Sequence, residues 1–200
     1  MAKNPRKKWF RRNADGKNHS IDEVILVAFD TSSLERYERL LQAGDGPSGG
    51  DTGPTIRALK GNIAEQEVDA VVNAANERLV TGAGVAGAIH RGAGPCLAKK
   101  CAELYPEGCP TGEARVTGGY SLPAKWIIHT VGPRWSGGNR GEADLLAACY
   151  RNSLQAASEI EARIVAFPAI STGVYGYPPD EAAEVAVATI REFLAEQGGD

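Results

Sequence analysis

The chain has few of the residues on which metal and thiol chemistry depends. It contains only three histidines and four cysteines, and the cysteines are Cys96, Cys101, Cys109 and Cys149. These positions show neither the close pairs of a zinc ribbon nor the density of a disulfide scaffold. They predict reduced thiols, a cytoplasmic protein and no bound metal. With so few histidines, nothing in the sequence favours one cysteine as a nucleophile.

Long apolar runs are also absent, since no window approaches the roughly 18 apolar residues of a membrane span. The basic start KNPRKKWFRR lacks the apolar core of a secretory signal. Residues 1–20 carry seven Lys or Arg and one Asp, and this excess leaves an acidic remainder in a chain of net charge −3. We expect residues 1–19 to form a solvated tail, with a polyanion-binding arm as the alternative. The acidic remainder argues against a broad nucleic-acid face.

What the sequence does contain is an alternation of strand-like and helix-like stretches. Strands are predicted at 24–29, 56–60, 70–73, 114–118, 126–131 and 164–167, and a last helix at 179–196. With 42% hydrophobic residues, 200 residues suffice for one domain with a core. We therefore expect a single monomeric domain over residues 20–200, with helices on both faces of a mixed sheet.

Two glycine-rich loops are the most informative features of the chain. The segment 68–94, VDAVVNAANERLVTGAGVAGAIHRGAG, contains a short apolar run, an Asn-rich turn, a glycine-rich loop and a helix start. A second loop, PAISTGVYGYP, follows the strand-like run at 164–167. Glycines let backbone N–H groups approach a phosphate, and a helix N-terminus adds partial positive charge. Two such loops predict a diphosphate ligand, although no Walker or Rossmann fingerprint is present.

Five ordered motifs carry a resemblance to a known family. They are Gly-Asn-Ile at 61–63, Val-Val-Asn-Ala-Ala-Asn at 71–76, Gly-Val-Ala-Gly-Ala-Ile-His at 84–90, Ile-His-Thr-Val-Gly-Pro at 128–133 and Ser-Thr-Gly-Val-Tyr-Gly at 171–176. Over about 56–194 the chain resembles the macro domain family, and more closely its MacroD-type branch. The resemblance implies a three-layer α/β/α fold, ADP-ribose and mono-ADP-ribosylated proteins as partners, and no cofactor.

The order of segments departs from that family. MacroD-type chains usually continue after the last helix into one more strand, ending in Phe-Asp, and one more helix. Here such a segment, IDEVILVAFD followed by SLERYERLL, lies at 21–41. We hypothesise a circular permutation in which the Gly/Pro/Asp-rich residues 42–54 form a linker that can reach roughly 40 Å. The alternative is an unrelated N-terminal strand and helix.

The resemblance assigns ligand-binding roles residue by residue. Asn62, where the family has an acidic residue, would accept a hydrogen bond from the adenine amine, and loss of the charge weakens binding by about 1 kcal/mol. The alternative for Asn62 is simple turn chemistry. Ile63 would present its backbone N–H to the base. Phe29 would pack on the adenine if the permutation holds, and is otherwise a core residue.

The remaining assignments concern the phosphates and the distal ribose. Asn76 would contact that ribose as the catalytic residue, Tyr175 would cover it, and Asn73 would brace the turn. We expect His90 and His129 to be core histidines. The backbone of the two loops would hold the diphosphate, through Gly82, Ala83, Gly84, Val85 and Ala86 in the first and Ser171, Thr172, Gly173, Val174 and Tyr175 in the second.

Ala86 divides the functional possibilities. The hydrolase branch has an aspartate at this position that helps to activate water, and general-base help is typically worth about 10²–10⁴-fold. The leading interpretation is a slow hydrolase that removes mono-ADP-ribose from acidic side chains and possesses O-acetyl-ADP-ribose deacetylase activity as an additional reaction. The alternative is a non-catalytic ADP-ribose reader. A polyanion-binding module built around residues 1–19 is a third, weaker interpretation.

Overall fold

The computed structural model describes residues 21–43 and 53–197. The predicted tail at 1–19 and most of the predicted linker at 42–54 lie outside these ranges. The strands are β1 (Glu23–Ala28), β2 (Thr55–Lys60), β3 (Ala70–Ala74), β4 (Ala114–Gly118), β5 (Trp126–Thr130) and β6 (Ile164–Pro168). The helices are α1 (Thr31–Gln42), α2 (Gly84–Ala93), α3 (Cys96–Leu104), α4 (Glu142–Glu159) and α5 (Pro179–Gln197), with a 3₁₀ turn at Ile63–Glu65.

The six strands form one sheet in the order β2-β1-β6-β3-β5-β4. Neighbouring strands are parallel, except that β4 runs antiparallel to β5. Val24 of β1 pairs with Ile56 on one side and Val165 on the other. Strand β1 is buried almost throughout, as expected for a parallel strand inside a sheet, whereas β2 at the edge is partly exposed. The predicted mixed sheet is confirmed.

Helices cover both faces of this sheet, each over its own hydrophobic cluster. On one face, Tyr37 of α1, Leu146 of α4 and Phe193 of α5 pack with Phe167 of β6. On the other face, α2 and α3 contribute Ile89 and Leu97, which pack against Val71 and Ile127 of the sheet. The predicted three-layer α/β/α fold is therefore confirmed. In the two described ranges, no helix is both long and apolar enough to cross a membrane.

Helix α1 begins two residues earlier than its apolar pattern indicates. The Asp30 side chain caps it by accepting a hydrogen bond from the Ser33 amide at 2.7 Å. This bond, together with one from the Ser32 hydroxyl, holds the pKa of Asp30 below its usual range. An N-terminal cap outside the apolar stripe explains the difference.

The parallel strands fix the place of the loops that follow them. Strands β2, β1, β6, β3 and β5 all run in one direction, so their carboxyl ends meet at the same edge of the sheet. In open α/β sheets, ligands bind in the crevice outside these carboxyl ends. The motifs at 61–63 and 171–176 follow β2 and β6, those at 71–76 and 128–133 run from within β3 and β5 into the loops after them, and the motif at 84–90 begins α2.

Candidate functional site

Exposed apolar side chains mark this carboxyl edge. Phe29 follows β1 and is 89% exposed, and Val174 follows β6 and is 83% exposed. Val80, between β3 and α2, is also among the few large exposed hydrophobic residues of the described chain. Large apolar groups that gather beside polar loops are typical of a ligand crevice.

The first glycine-rich loop leads directly into α2. Ala83 occupies the N-cap position in extended conformation, and it offers no side chain to the helix N–H groups. Gly84 adopts a φ of +58°, a left-handed conformation that favours glycine. The first amides of α2 are therefore left to a ligand, and the helix dipole makes an anion the favoured one.

Asn76 is held firmly at the start of the same loop. Its side-chain oxygen accepts a hydrogen bond from the Val80 amide at 3.1 Å, and its Nδ2 donates to the Val80 carbonyl at 2.8 Å. A Cβ built on Gly82 would lie 3.5 Å from Asn76 Nδ2 and 3.4 Å from Ala86 Cβ. Asn76 and Ala86 therefore flank the same point of the loop, which places the predicted catalytic amide next to the position of the missing carboxylate.

The second loop is ordered by its own hydrogen bonds. The Tyr177 amide donates to the Ser171 carbonyl at 3.0 Å, and the Gly176 amide donates to the Gly173 carbonyl at 2.9 Å. The Thr172 hydroxyl donates to the Ala169 carbonyl at 3.0 Å. Because β6 and β3 are neighbours, this loop lies beside the first one. The structure thus brings the two predicted phosphate loops together.

At the other end of the edge, the Asn62 side chain is engaged in turn chemistry. Its Oδ1 caps the 3₁₀ turn by accepting from the Ala64 amide at 3.1 Å, and its Nδ2 donates to Glu65 at 2.8 Å. The Gly61 amide donates to the Ala28 carbonyl, which brings this turn next to Phe29. An amide oxygen has two acceptor positions, so the cap leaves one for a ligand. The Ile63 side chain is buried beneath the turn.

The sequence predicted that Asn73 braces the turn, but the structure places this residue elsewhere. It is fully buried within β3, and its Nδ2 lies 3.1 Å from Nδ1 of His129 on the neighbouring strand. Nε2 of His129 lies 2.9 Å from the Thr117 hydroxyl. Burial lowers the pKa of His129 to about 3, so the ring is neutral and its Nε2–H donates to Thr117. Since the register pairs Asn73 with His129, the amide links strands instead of the loop.

The second predicted core histidine, His90, is buried as expected, whereas Phe29 is exposed and is not a core residue. His90 is 6% exposed, and burial lowers its pKa. Cys101, Cys109 and Cys149 are buried free thiols, and burial raises the pKa of Cys109 to about 12. These thiols stay protonated at neutral pH, which excludes them as ready nucleophiles. Neither His90 nor His129 offers a charged general acid.

Sequence reasoning missed the segment after β5. The Arg134 guanidinium lies 4.4 Å from the centroid of the half-buried Tyr175 ring, and the Trp135 amide donates to the Tyr175 carbonyl at 2.8 Å. The buried Glu142 carboxylate accepts hydrogen bonds from the Ser136 hydroxyl and from the Ser136, Gly138 and Arg140 amides. The bond from the Ser136 hydroxyl, with those from the Arg140 and Ser136 amides, holds the pKa of Glu142 at about 2. The only sequence signal was that this segment directly follows the Thr-Val-Gly-Pro motif.

Comparison with known proteins agrees with this geometry. The family model described as Macro domain matches residues 72–186. A macro domain-containing protein of Chlorobaculum tepidum is 59% identical over 144 residues, which are 72% of this chain and 83% of that protein. An O-acetyl-ADP-ribose deacetylase of Klebsiella pneumoniae is 57% identical over 138 residues, 68% of this chain and 79% of the relative.

A solved structure of a similar protein contains ADP-ribose. The Trypanosoma brucei macrodomain in complex with ADP-ribose has a TM-score of 0.69 and 38% identity, and the match covers 96% of this chain and 76% of that one. The family model alone matches more than half of the sequence, and its residues include both glycine-rich loops. The chain belongs to the macro domain family.

Proposed function

We propose that this protein binds ADP-ribose and hydrolyses mono-ADP-ribose from acidic side chains of proteins, as a MacroD-type enzyme of the cytoplasm. One observation supports the proposal: the two glycine-rich loops lie side by side, with an exposed aromatic ring at one end and an amide held by two hydrogen bonds at the other. The sheet order places Phe29 and Asn62 at the first end and Asn76 at the second. This spacing of parts suits a base, a diphosphate and a distal ribose in that order.

Each part of the ligand then has a partner. The adenine stacks on Phe29, which is worth about 0.5–1.5 kcal/mol beyond its buried area, and the free acceptor position of Asn62 receives the exocyclic amine. The backbone amides of residues 82–86 and 171–175 hold the diphosphate. Tyr175 covers the distal ribose and excludes bulk water, and Asn76 binds its hydroxyls. A water held by the diphosphate attacks, because residue 86 supplies no base.

The relatives support this chemistry. A protein 57% identical to this chain is named for O-acetyl-ADP-ribose deacetylation. That reaction and the removal of ADP-ribose from glutamate both cleave an ester on the distal ribose. We include O-acetyl-ADP-ribose as a second substrate of the same site.

The test is release of ADP-ribose from a peptide mono-ADP-ribosylated on glutamate, with Asn76→Asp as the matched variant. This variant keeps the oxygen that accepts from Val80 but removes the NH₂ donors and adds charge beside the phosphates. We expect release by the wild type and at least about a 10-fold lower rate in the variant. The variant loses the neutral NH₂ donor of Asn76, and its negative charge repels the diphosphate. Equal rates in the two proteins would contradict the assignment of Asn76.

A reader function is the second candidate, because Ala86 removes the usual carboxylate. It predicts that wild type releases nothing, although free ADP-ribose still competes for the modified peptide. Such a result would overturn the hydrolase and retain the binding site. The polyanion arm at 1–19 is independent of this site and predicts binding that weakens steeply with salt.

We also infer that the chain is a circular permutant of the family order. Strand β1 lies between β2 and β6, and the Ile21 amide at its start donates to Gln197 at the end of α5, at 3.2 Å. The end of α5 therefore abuts the start of β1, as a direct connection between them requires. A gene that places residues 21–43 after residue 197, through a short linker, is expected to yield a folded protein with ADP-ribose affinity within about 3-fold of the wild type. An unfolded product would contradict the permutation.

A further inference from the structure

Arg134 combines an aromatic contact with a charge that has no ionic partner. Arg36, Arg57, Arg115 and Arg163 each face a carboxylate. Arg134 is exposed and, within residues 21–43 and 53–197, forms no ion pair, while its guanidinium lies over the Tyr175 ring. Its positive charge is therefore not neutralised by the protein.

The stacking geometry leaves the hydrogen-bond donors of this guanidinium free. An arginine that lies over an aromatic ring uses its flat face, while its N–H groups point outward in the plane of the group. The same fork of N–H groups matches the two oxygens of a carboxylate. Arg134 is thus fixed by Tyr175 and still able to bind an anion.

The segment that carries Arg134 is held in place from both sides. The Trp135 ring packs against the Tyr177 ring at a tilt of 54°, with ring centroids 4.6 Å apart, and the Trp135 amide donates to the Tyr175 carbonyl. On the other side, the Glu142 carboxylate accepts hydrogen bonds from the Ser136, Gly138 and Arg140 amides. A side chain on a segment with these anchors needs little ordering when a ligand arrives.

The sheet order decides which part of the ligand Arg134 faces. Along the carboxyl edge, the strands run from β2 and β1 through β6 and β3 to β5. The base end lies at β2 and β1, and Asn76 follows β3. Arg134 follows β5, one strand beyond Asn76, so it lies past the distal ribose. That is where the group attached to this ribose leaves the site.

We propose that Arg134 is a further catalytic residue, which binds the carboxyl group esterified to the distal ribose and receives it as a carboxylate after cleavage. This inference rests on the proposed function. In the reaction, the oxygen of one water bonds to the anomeric carbon and the bond from that carbon to the ester oxygen breaks. The electron pair stays on the departing carboxylate, and the proton of the water passes to solvent. Arg134 stabilises the negative charge as it forms.

The experiment compares Arg134→Gln, Arg134→Lys and Arg140→Gln with the wild type. Arg140 is the matched control because it lies on the same segment and is exposed, and because Arg140→Gln removes the same charge. Steady-state kinetics use the glutamate-linked ADP-ribosyl peptide. Calorimetry measures the affinity for free ADP-ribose and for a peptide whose ADP-ribose is attached through an uncleavable amide.

For Arg134→Gln we expect kcat to fall about 10- to 100-fold, the worth of a charged hydrogen bond, with the Kd for free ADP-ribose within about 3-fold of the wild type. Arg134→Lys recovers part of the rate, and Arg140→Gln behaves as the wild type. Weaker binding of the amide-linked peptide by Arg134→Gln supports the contact with the linked carboxyl group, whereas a wild type that releases no ADP-ribose overturns the catalytic role. The inference is overturned if Arg134→Gln matches Arg140→Gln in both assays, or if it weakens free ADP-ribose as much as the modified peptide.

Discussion

Replacing Ala86 with aspartate is expected to raise the rate of ADP-ribose release by about 10²–10⁴-fold, the usual worth of a positioned general base. The reason lies in the loop geometry. Ala86 Cβ and Asn76 Nδ2 both flank the backbone of Gly82, so a carboxylate at position 86 enters the space beside the distal ribose. Release of ADP-ribose from a glutamate-linked peptide, measured at saturating substrate, checks this prediction.

The local environment also suits a base. Ala86 is 5% exposed, and burial raises the pKa of a carboxyl group. A base with a raised pKa is closer to the operating pH and accepts a proton more effectively. Since only the ionised form acts as a base, the rate of the variant should fall as the pH drops below that raised pKa. The wild type lacks this carboxyl group, so its release rate should not show this fall at low pH.

Ala86→Asn is the matched control for this experiment. Asparagine has nearly the same size and shape as aspartate but is uncharged and cannot accept the proton, so it should not accelerate release. The ADP-ribose affinity of each variant shows whether the loop has kept its shape. If the aspartate variant binds ADP-ribose normally and releases it no faster than the asparagine variant, the attacking water does not lie beside residue 86. The scaffold would then be better described as a reader.

The strands were predictable from sequence because their patterns are local. The predicted strand at 114–118 has the same bounds as β4, and the predicted strand at 164–167 ends one residue before β6 does. Glycine and proline beside β-rich runs marked their ends. The two glycine-rich loops were recognised for the same reason, since the order of strand, loop and helix can be read along the chain.

The contacts across the edge were not predictable in this way. Strand β1 pairs with β2, the next strand in sequence, and also with β6, which lies more than a hundred residues later. Arg134 reaches Tyr175 from the loop after a different strand, and Glu142 accepts hydrogen bonds from a segment to which the sequence assigned no role. Such contacts depend on the three-dimensional order of the strands. The alternation of elements predicted β1 as a strand of the sheet, but it did not predict the place of β1 between β2 and β6.

The assignments that differ in detail share one cause. Asn62 and Asn73 carry the same side chain, yet one caps a turn and the other joins β3 to His129 on β5. An asparagine in a motif offers both possibilities, because its amide donates and accepts hydrogen bonds. Glu65 lies three residues from Asn62, whereas His129 lies on another strand, 56 residues from Asn73. Motif spacing therefore does not decide which hydrogen bonds each asparagine makes.

Replacing Gly87 with alanine is expected to weaken ADP-ribose binding by about 10- to 100-fold, because displacements near 1 Å at a site can cost this much. Gly87 lies on the face of α2 against which the first glycine-rich loop folds. A Cβ at this position would lie 2.5 Å from the Gly82 carbonyl oxygen, which is a backbone atom and cannot rotate away. The loop must therefore shift away from the helix, and its amides lose their alignment with the diphosphate.

Gly92→Ala on the same helix separates this effect from a general disturbance of α2. A Cβ there would lie 2.7 Å from Leu122 Cδ2, the end of a flexible side chain that can move. Both substitutions raise the intrinsic helix propensity by about 1 kcal/mol, so neither should unfold α2 for lack of it. Calorimetry with ADP-ribose should show a loss for Gly87→Ala and an affinity within about 3-fold of the wild type for Gly92→Ala, with circular dichroism to verify folding. Gly87→Ala moves Gly82, whereas Gly92→Ala leaves Gly82 in place. Equal affinities in two folded variants would therefore mean that binding of the diphosphate does not depend on this loop.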